Sequence, residues 1–230
     1  MAMFRHSAQK RARILSKSEF RHALRVASAT ADPERNQLLL CLSHALAMRV
    51  TEMARITVAD VMLPSGRIRA EIAMRAEITK GYRPRTLLMS SRLLLKHLDA
   101  YLDHRIQKGI GTEPGSLDYR GLYPHLPLIF SNRGGGFSLV LKKRRLETGV
   151  IEEYWAADGL EQWFRTFYPR AGLRGATSHS GRRGLSTHLL EDGADIEDVS
   201  RLLGHQDLDY LRPYTEPSKE AIRHAFELAL

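Results

Sequence analysis

Apolar residues fall along this chain in short helical stripes separated by turn residues, with one brief stretch of strand-like alternation. Ser16 or Ser18 can cap a helix running to about Ser28, with Phe20 and Leu24 on one face. Asp32-Pro33-Glu34 is a helix start: an acid, a proline in the first turn, and a second acid near the positive end of the dipole. The helix from Pro33 to about Met48 is apolar on most sides, which places it centrally. Arg49-Val50-Thr51-Glu52 follows at once, with Thr51 as the expected cap of a short second helix, and Thr57–Val61 leads away from it. After the turn at Pro64-Ser65-Gly66, Ile68, Ala70, Ile72 and Met74 alternate onto one face and predict a strand or strand pair over 68–78. Thr79–Pro84 is a tight connection and Arg85–Met89 a returning strand, so a small antiparallel sheet carries Lys80 at its turn.

Ser90 or Ser91 caps the next helix, 93–108, whose stripe is Leu94, Leu98, Tyr101, Leu102 and Ile106, with Gly109 as its stop. Residues 110–126 read as loop, Pro127–Phe130 as a short buried piece, and Ser131–Gly136 as loop again. Lys142-Lys143-Arg144-Arg145 is a basic run with two equal readings, a solvated patch or a contact to a DNA backbone. Helices are predicted over 156–168, 182–191 and from the cap Asp195 to the stop Gly204, the last with Ile196, Val199, Leu202 and Leu203 inward. Ser218 caps a C-terminal amphipathic helix with Ile222, Ala225 and Phe226 on one face. Strands are few, so the fold class is mainly α with a small antiparallel β-sheet (α+β).

Composition narrows the function. The chain has 230 residues, 43% hydrophobic and 27% charged, which is ordinary for a globular protein. Its formal net charge of +9 points to a polyanionic partner as readily as to a merely basic surface. The lone cysteine, Cys41, sits in the apolar run Leu38–Leu42 and is expected to fill core space. A secreted disulfide framework is therefore excluded. No signal-type apolar core and no run of membrane-spanning length is present, so a cytoplasmic, nucleoid-associated setting without a membrane partner is expected.

The chemistry gathers near the end of the chain. His179-Ser180-Gly181-Arg182 sets a His and an Arg three apart; Leu202-Leu203-Gly204-His205 adds a second His, and Tyr214 follows nine residues later. In-line attack on a phosphodiester spreads charge over the non-bridging oxygens, and planar guanidinium groups suit that charge. A tyrosine can form a covalent link to phosphorus, a lysine on a turn can protonate the leaving oxygen, and histidines can donate to phosphate or shuttle protons. Arg49 and Lys80 supply the missing arginine and acid. Each residue also has an ordinary reading: Arg49 as a surface partner of Glu52, Lys80 as a solvated turn residue with Arg83 and Arg85 as substitutes, His179 as a helix cap. Tyr210, five residues after His205, is the rival nucleophile, and His44 and His188 are read as ordinary helix residues. No carboxylate cluster of the Mg²⁺-binding kind and no finger-like zinc ligand set is seen.

These motifs together resemble the tyrosine recombinase (phage integrase) family. Ala47-Met48-Arg49-Val50-Thr51-Glu52-Met53 is similar to its first arginine box, Thr79-Lys80-Gly81 with Arg85-Thr86-Leu87-Leu88 to its sheet-turn lysine, and His179-Ser180-Gly181-Arg182 to its His-x-x-Arg box. Leu202-Leu203-Gly204-His205 with Tyr214 resembles its closing motif. The resemblance implies the catalytic-domain fold of that family over 16–216, after a basic arm at 1–15 and before a C-terminal helix at 217–230 that docks on a neighbouring protomer or packs on its own domain. It implies a site-specific recombinase or integrase of a mobile genetic element, phage or bacterial, cleaving and rejoining double-stranded DNA at recombination sites as a homotetramer, through a 3′-phosphotyrosyl intermediate, without metal, ATP or other cofactor. By the same resemblance Tyr214 is the nucleophile, Arg49, Arg182 and His205 bind the phosphate, Lys80 is the general acid and His179 assists proton transfer.

Three departures stand out: Arg183 where the family usually has a second His, Gly181 where it often has leucine, and Pro213 directly before the tyrosine. Only 48 residues precede Arg49, fewer than the family's separate DNA-clamping domain occupies. The chain is read as an excised catalytic domain in preference to a minimal recombinase. The alternative from another class is a non-catalytic, sequence-specific DNA-binding protein, with Arg182–Leu203 as a helix-turn-helix; it leaves Arg49, Lys80 and Tyr214 without a purpose.

Overall fold

The computed structural model describes residues 12–79, 84–145 and 149–204. The expectations placed on residues 1–11 of the basic arm, on Lys80 and Arg83, on His205, Tyr210 and Tyr214, and on the helix at 217–230 lie outside the described residues.

The first helix, α1 (Lys17–Ser28), is capped by Ser16, whose hydroxyl accepts the Glu19 N–H while the Glu19 carboxylate accepts the Ser16 N–H, satisfying two end donors at once. Helix α2 (Pro33–Ala45) is the centre of the molecule: Leu38 to Leu42, including Cys41, are essentially inaccessible, and α1, α5 and α7 all pack on it. It ends three residues before the predicted Met48. Ala47 adopts a left-handed φ of 50°, and the Met48 N–H turns back to the Leu42 carbonyl at 3.3 Å. The chain thus leaves α2 through a sharp corner directly before Arg49.

Helix α3 (Val50–Arg55) begins at Arg49, not at Thr51 as predicted. Glu52 decides this, because its carboxylate reaches back to the Arg49 N–H at 2.7 Å and leaves Thr51 inside the first turn. A one-turn helix, α4 (Val58–Val61), is capped by Thr57 with Asp60 reciprocating. Strands β1 (Glu71–Met74) and β2 (Arg85–Leu88) pair antiparallel, with Ile72 opposite Leu87 and both buried. The first strand is shorter than the predicted 68–78, since Ala76–Ile78 tightens into a 3₁₀ turn and Ile68 bridges to Met62.

Helix α5 (Arg92–Gln107), capped by Ser91, buries Leu94, Leu98, Tyr101 and Leu102 against α2. Leu128 and Ile129 of the predicted buried piece are fully inaccessible. A second antiparallel hairpin, β3 (Val140–Arg145) with β4 (Ile151–Ala156), was not expected; the basic run lies in β3, and the predicted helix at Ala156 starts two residues later as α6 (Asp158–Arg170). Most positions of both strands are exposed, so no buried face imposes the alternation by which strands are read. Helices α7 (Ser180–Glu191) and α8 (Ile196–Leu203) pack on each other and on Ala47 through Leu185, Leu189, Leu190, Ile196, Val199 and Leu203. Leu202, expected inward, is only partly buried and stands outside that cluster. Among the described residues the architecture is mainly helical with two small antiparallel hairpins, and no helix there is long and apolar enough to cross a membrane.

Candidate active site

Arg49 stands at the corner after α2, where an extended backbone (φ −76°, ψ 152°) lets its side chain turn away from the helix it starts. Its Nη1 donates to Glu52 at 3.0 Å and its Nη2 points to the Gly204 carbonyl at 3.4 Å. The expected Arg49–Glu52 pair therefore exists, but it is not a surface pair, because Glu52 is fully inaccessible. Glu52 is shared with Arg85 of β2, which donates from Nη1 and Nη2 at 2.7 Å each, in the two-pronged geometry natural to guanidinium and carboxylate. Burial alone would raise the Glu52 carboxyl; hydrogen bonds and charge from Arg85, joined by Arg49, outweigh it and hold the group below the usual carboxylate range. Burial lowers the Arg49 guanidinium, against the opposing pull of Glu52, yet an arginine that starts so high stays charged.

Arg182 reaches the same place from α7. Its Nη1 donates to the Ala47 carbonyl at 3.0 Å and its Nη2 to the Leu203 carbonyl, and the side chain is 8% exposed. The fold thus brings both sequence-predicted arginines to the C-terminal end of α8, where unpaired carbonyls favour cations. Gly204 closes α8 in the left-handed conformation (φ 61°, ψ 49°), which glycine adopts without strain, and the chain then passes to His205.

Gly181 explains one departure from the family pattern. A Cβ at this position would lie 2.3 Å from the Ser43 carbonyl oxygen, so α7 crosses α2 with backbone nearly against backbone. A leucine cannot occupy this crossing. Arg183, at the second departure, donates through Nη1 to the Ala12 carbonyl at 2.6 Å and ties α7 to the start of the described chain. His179 takes the N-cap position of α7 without a side-chain capping bond; its exposed ring meets Ser178 Oγ through Nδ1 at 2.9 Å.

The basic run lies apart from these residues, on the exposed hairpin. Lys142 pairs with Asp158 at 2.6 Å, Lys143 with Glu153 at 2.8 Å and Arg144 with Glu152 at 2.5 Å. These contacts offset part of its charge. Among the described residues no group of three or more His, Cys, Asp or Glu side chains is placed to hold a metal ion.

The burial of Glu52 and its partnership with Arg85 are what the sequence reading did not place. The one signal for Glu52 was its spacing of three from Arg49. Arg85 had been considered only as a stand-in for Lys80, and nothing in the sequence indicates that its partner is on another element.

Comparison with known proteins identifies the family. Tyrosine recombinase XerD of Oceanobacillus iheyensis is 25% identical over 223 residues, covering 93% of this chain and 61% of its own length. Tyrosine recombinase XerC of Bacillus subtilis is 28% identical over 192 residues, covering 84% and 52%. The chain thus spans about half to three-fifths of the curated relatives it matches. Among solved structures, XerA recombinase superposes with a TM-score of 0.63 at 22% identity, over 94% of this chain and 64% of that one. The catalytic domain of bacteriophage HP1 integrase gives 0.51 at 16%, over 94% and 95%. The profile of the phage integrase family matches residues 13–221, nearly the whole chain, from before the first arginine box to beyond the tyrosine. On that match, this chain belongs to the phage integrase family.

Proposed function

We propose that this chain carries the strand-transfer site of a site-specific DNA recombinase, with Tyr214 as nucleophile. The observation that carries the reading is the convergence of Arg49 and Arg182 on the end of α8, next in sequence to His205. Two guanidinium groups, one partly charge-compensated by Glu52, reach adjacent carbonyls and supply the positive charge of the phosphate pocket in this reading. Such a pocket stabilises the charge that builds on the non-bridging oxygens during attack.

Tyr214 attacks phosphorus, the 3′-phosphotyrosyl bond forms, and the bond to the 5′-oxygen breaks. Lys80, between β1 and β2 in sequence, gives the leaving oxygen its proton, while His205 donates to the phosphate and His179 assists proton transfer. Attack by a 5′-hydroxyl from a partner strand reverses the step and releases Tyr214, so bond energy is conserved and neither ATP nor a metal ion enters the balance. The arm at 1–15 and Lys142, Lys143, Arg144 and Arg145 contact the DNA backbone, residues 16–216 form the catalytic unit, and four protomers assemble on paired sites with residues 217–230 docked on a neighbour. Two solved neighbours support a DNA substrate by likeness: they are XerH recombinase bound to its difH site before and after cleavage.

The test uses randomised duplex oligonucleotides carrying a nick, so that cleavage releases a short fragment and traps the protein on DNA. Covalent DNA recovered after denaturation from the wild type, and none from Tyr214→Phe at unchanged DNA binding, is the expected result. A covalent complex formed by Tyr214→Phe moves the nucleophile to another residue such as Tyr210; no covalent DNA from the wild type favours a binding protein without catalysis.

A further inference from the structure

The Glu52 carboxylate is saturated. Its Oε1 accepts from Arg49 Nη1 at 3.0 Å and Arg85 Nη1 at 2.7 Å; its Oε2 accepts from the Arg49 N–H at 2.7 Å and Arg85 Nη2 at 2.7 Å. Four bonds fill the four lone-pair sites of a carboxylate. The Glu52 side chain is 0% exposed and that of Arg85 2%, so this pair is shut away from bulk water. Arg85 also borders the end of α8: a Cβ on Gly204 would stand 3.6 Å from its Cδ. It opens β2, paired with Met74 of β1.

We infer that Arg85 is a positioning residue of the strand-transfer site, holding Glu52 in a shared grip so that this carboxylate orients Arg49 without neutralising it. This rests on the recombinase reading above. With Arg85 present, two cations share one buried anion and a net positive charge remains for the phosphate. Without it, two lone-pair sites of a buried carboxylate lose their donors, and Arg49 is the cation next to them. Arg49 is then drawn into a closed ion pair, and the charge available to the phosphate falls. Arg85 itself does not touch the reacting atoms in this scheme.

The experiment compares wild type, Arg85→Met, Arg85→Lys, Glu52→Gln and the pair Arg85→Met with Glu52→Gln, on the nicked duplex sequence recovered by covalent capture. Each is measured with an ordinary scissile phosphate and with a neutral methylphosphonate there. Single-turnover trapping at saturating DNA is followed beside DNA affinity and thermal unfolding. Arg85→Met is expected to slow trapping by at least about tenfold with DNA affinity held within about threefold, the mark of an interaction used in the chemical step. The paired variant, which removes the orphaned charge, recovers most of that loss, and the Arg85→Met deficit shrinks on methylphosphonate because less charge then needs compensation. A merely structural Arg85 would lower unfolding temperature, binding and trapping together, with equal deficits on both linkages and no recovery in the pair; that pattern overturns the inference, as does undiminished trapping by Arg85→Met. If the wild type traps no DNA, the recombinase reading itself fails and takes this inference with it.

Discussion

Arg49 and Arg182, far apart in sequence, donate to consecutive carbonyls at the end of one helix, Gly204 and Leu203. The negative end of the α8 dipole and its unpaired carbonyls favour the two cations there. Arg182 also donates to Ala47, the left-handed corner from which Arg49 springs. One side chain therefore braces both halves of the pocket.

That bracing makes Arg182 doubly sensitive. Arg182→Ala is expected to lower covalent trapping of a nicked duplex by about 10²–10³-fold, the scale seen when one donor to a developing oxyanion is lost. It also lowers unfolding temperature, because two buried carbonyls lose their donor. Arg182→Lys keeps the charge without the fork and falls between. Trapping unchanged in Arg182→Ala would remove it from the phosphate pocket.

The crossing of α2 and α7 depends on a missing methyl group. Gly181→Ala places a Cβ where only 2.3 Å separates it from the Ser43 carbonyl oxygen, so the helices must part, at a cost of about 1–3 kcal/mol. At Gly184, three residues on, a Cβ meets only Ile14 Cγ2 at 3.5 Å, and Gly184→Ala is neutral or stabilising by about 0.5–1 kcal/mol through helix propensity. Chemical denaturation of the two variants separates these outcomes; equal stability would mean that α7 does not sit this close to α2.

A pH dependence follows from His44. Its ring lies between Phe20, at 4.6 Å, and the Tyr168 hydroxyl, at 3.0 Å from Nε2, and burial pushes its pKa down to about 4. The neutral form is favoured by folding, so its contribution is complete above the unfolded pKa of about 6.5 and is lost as pH falls from there toward 4. The ceiling on that loss is about 3 kcal/mol. Unfolding temperature against pH should fall more steeply across this window in the wild type than in His44→Phe; parallel curves would show that His44 does not couple folding to protonation.

The β3–β4 hairpin gives a test by salt. If its basic residues contact DNA phosphates, Lys143→Gln with Arg145→Gln weakens binding evenly across DNA sequences and lowers the slope of log affinity against log salt by about one to two. Lys143 is 66% exposed in its side chain and already paired with Glu153, so the lower end is expected. An unaltered slope would leave the hairpin a solvated patch.

The sequence by itself determined most of the helices and the first hairpin, and it named the candidate site residues in order. Capping and helical periodicity act over three or four residues, so Ser16, Ser91 and Asp195 can be read as helix starts, and the motif spacings lie within single segments. It also determined that α2 is central, because a helix apolar on most sides has no face to give to water. The partnership of Glu52 with Arg85, the convergence of Arg49 and Arg182, and the fit of Gly181 on Ser43 were decided only by tertiary structure. Each joins separate elements, and local composition carries no record of which buried carboxylate an arginine will find or which glycine a neighbouring backbone will fill. The β3–β4 hairpin was hidden for the opposite reason: its strands bury neither face, so no hydrophobic period marks them, and cross-strand pairing alone defines them.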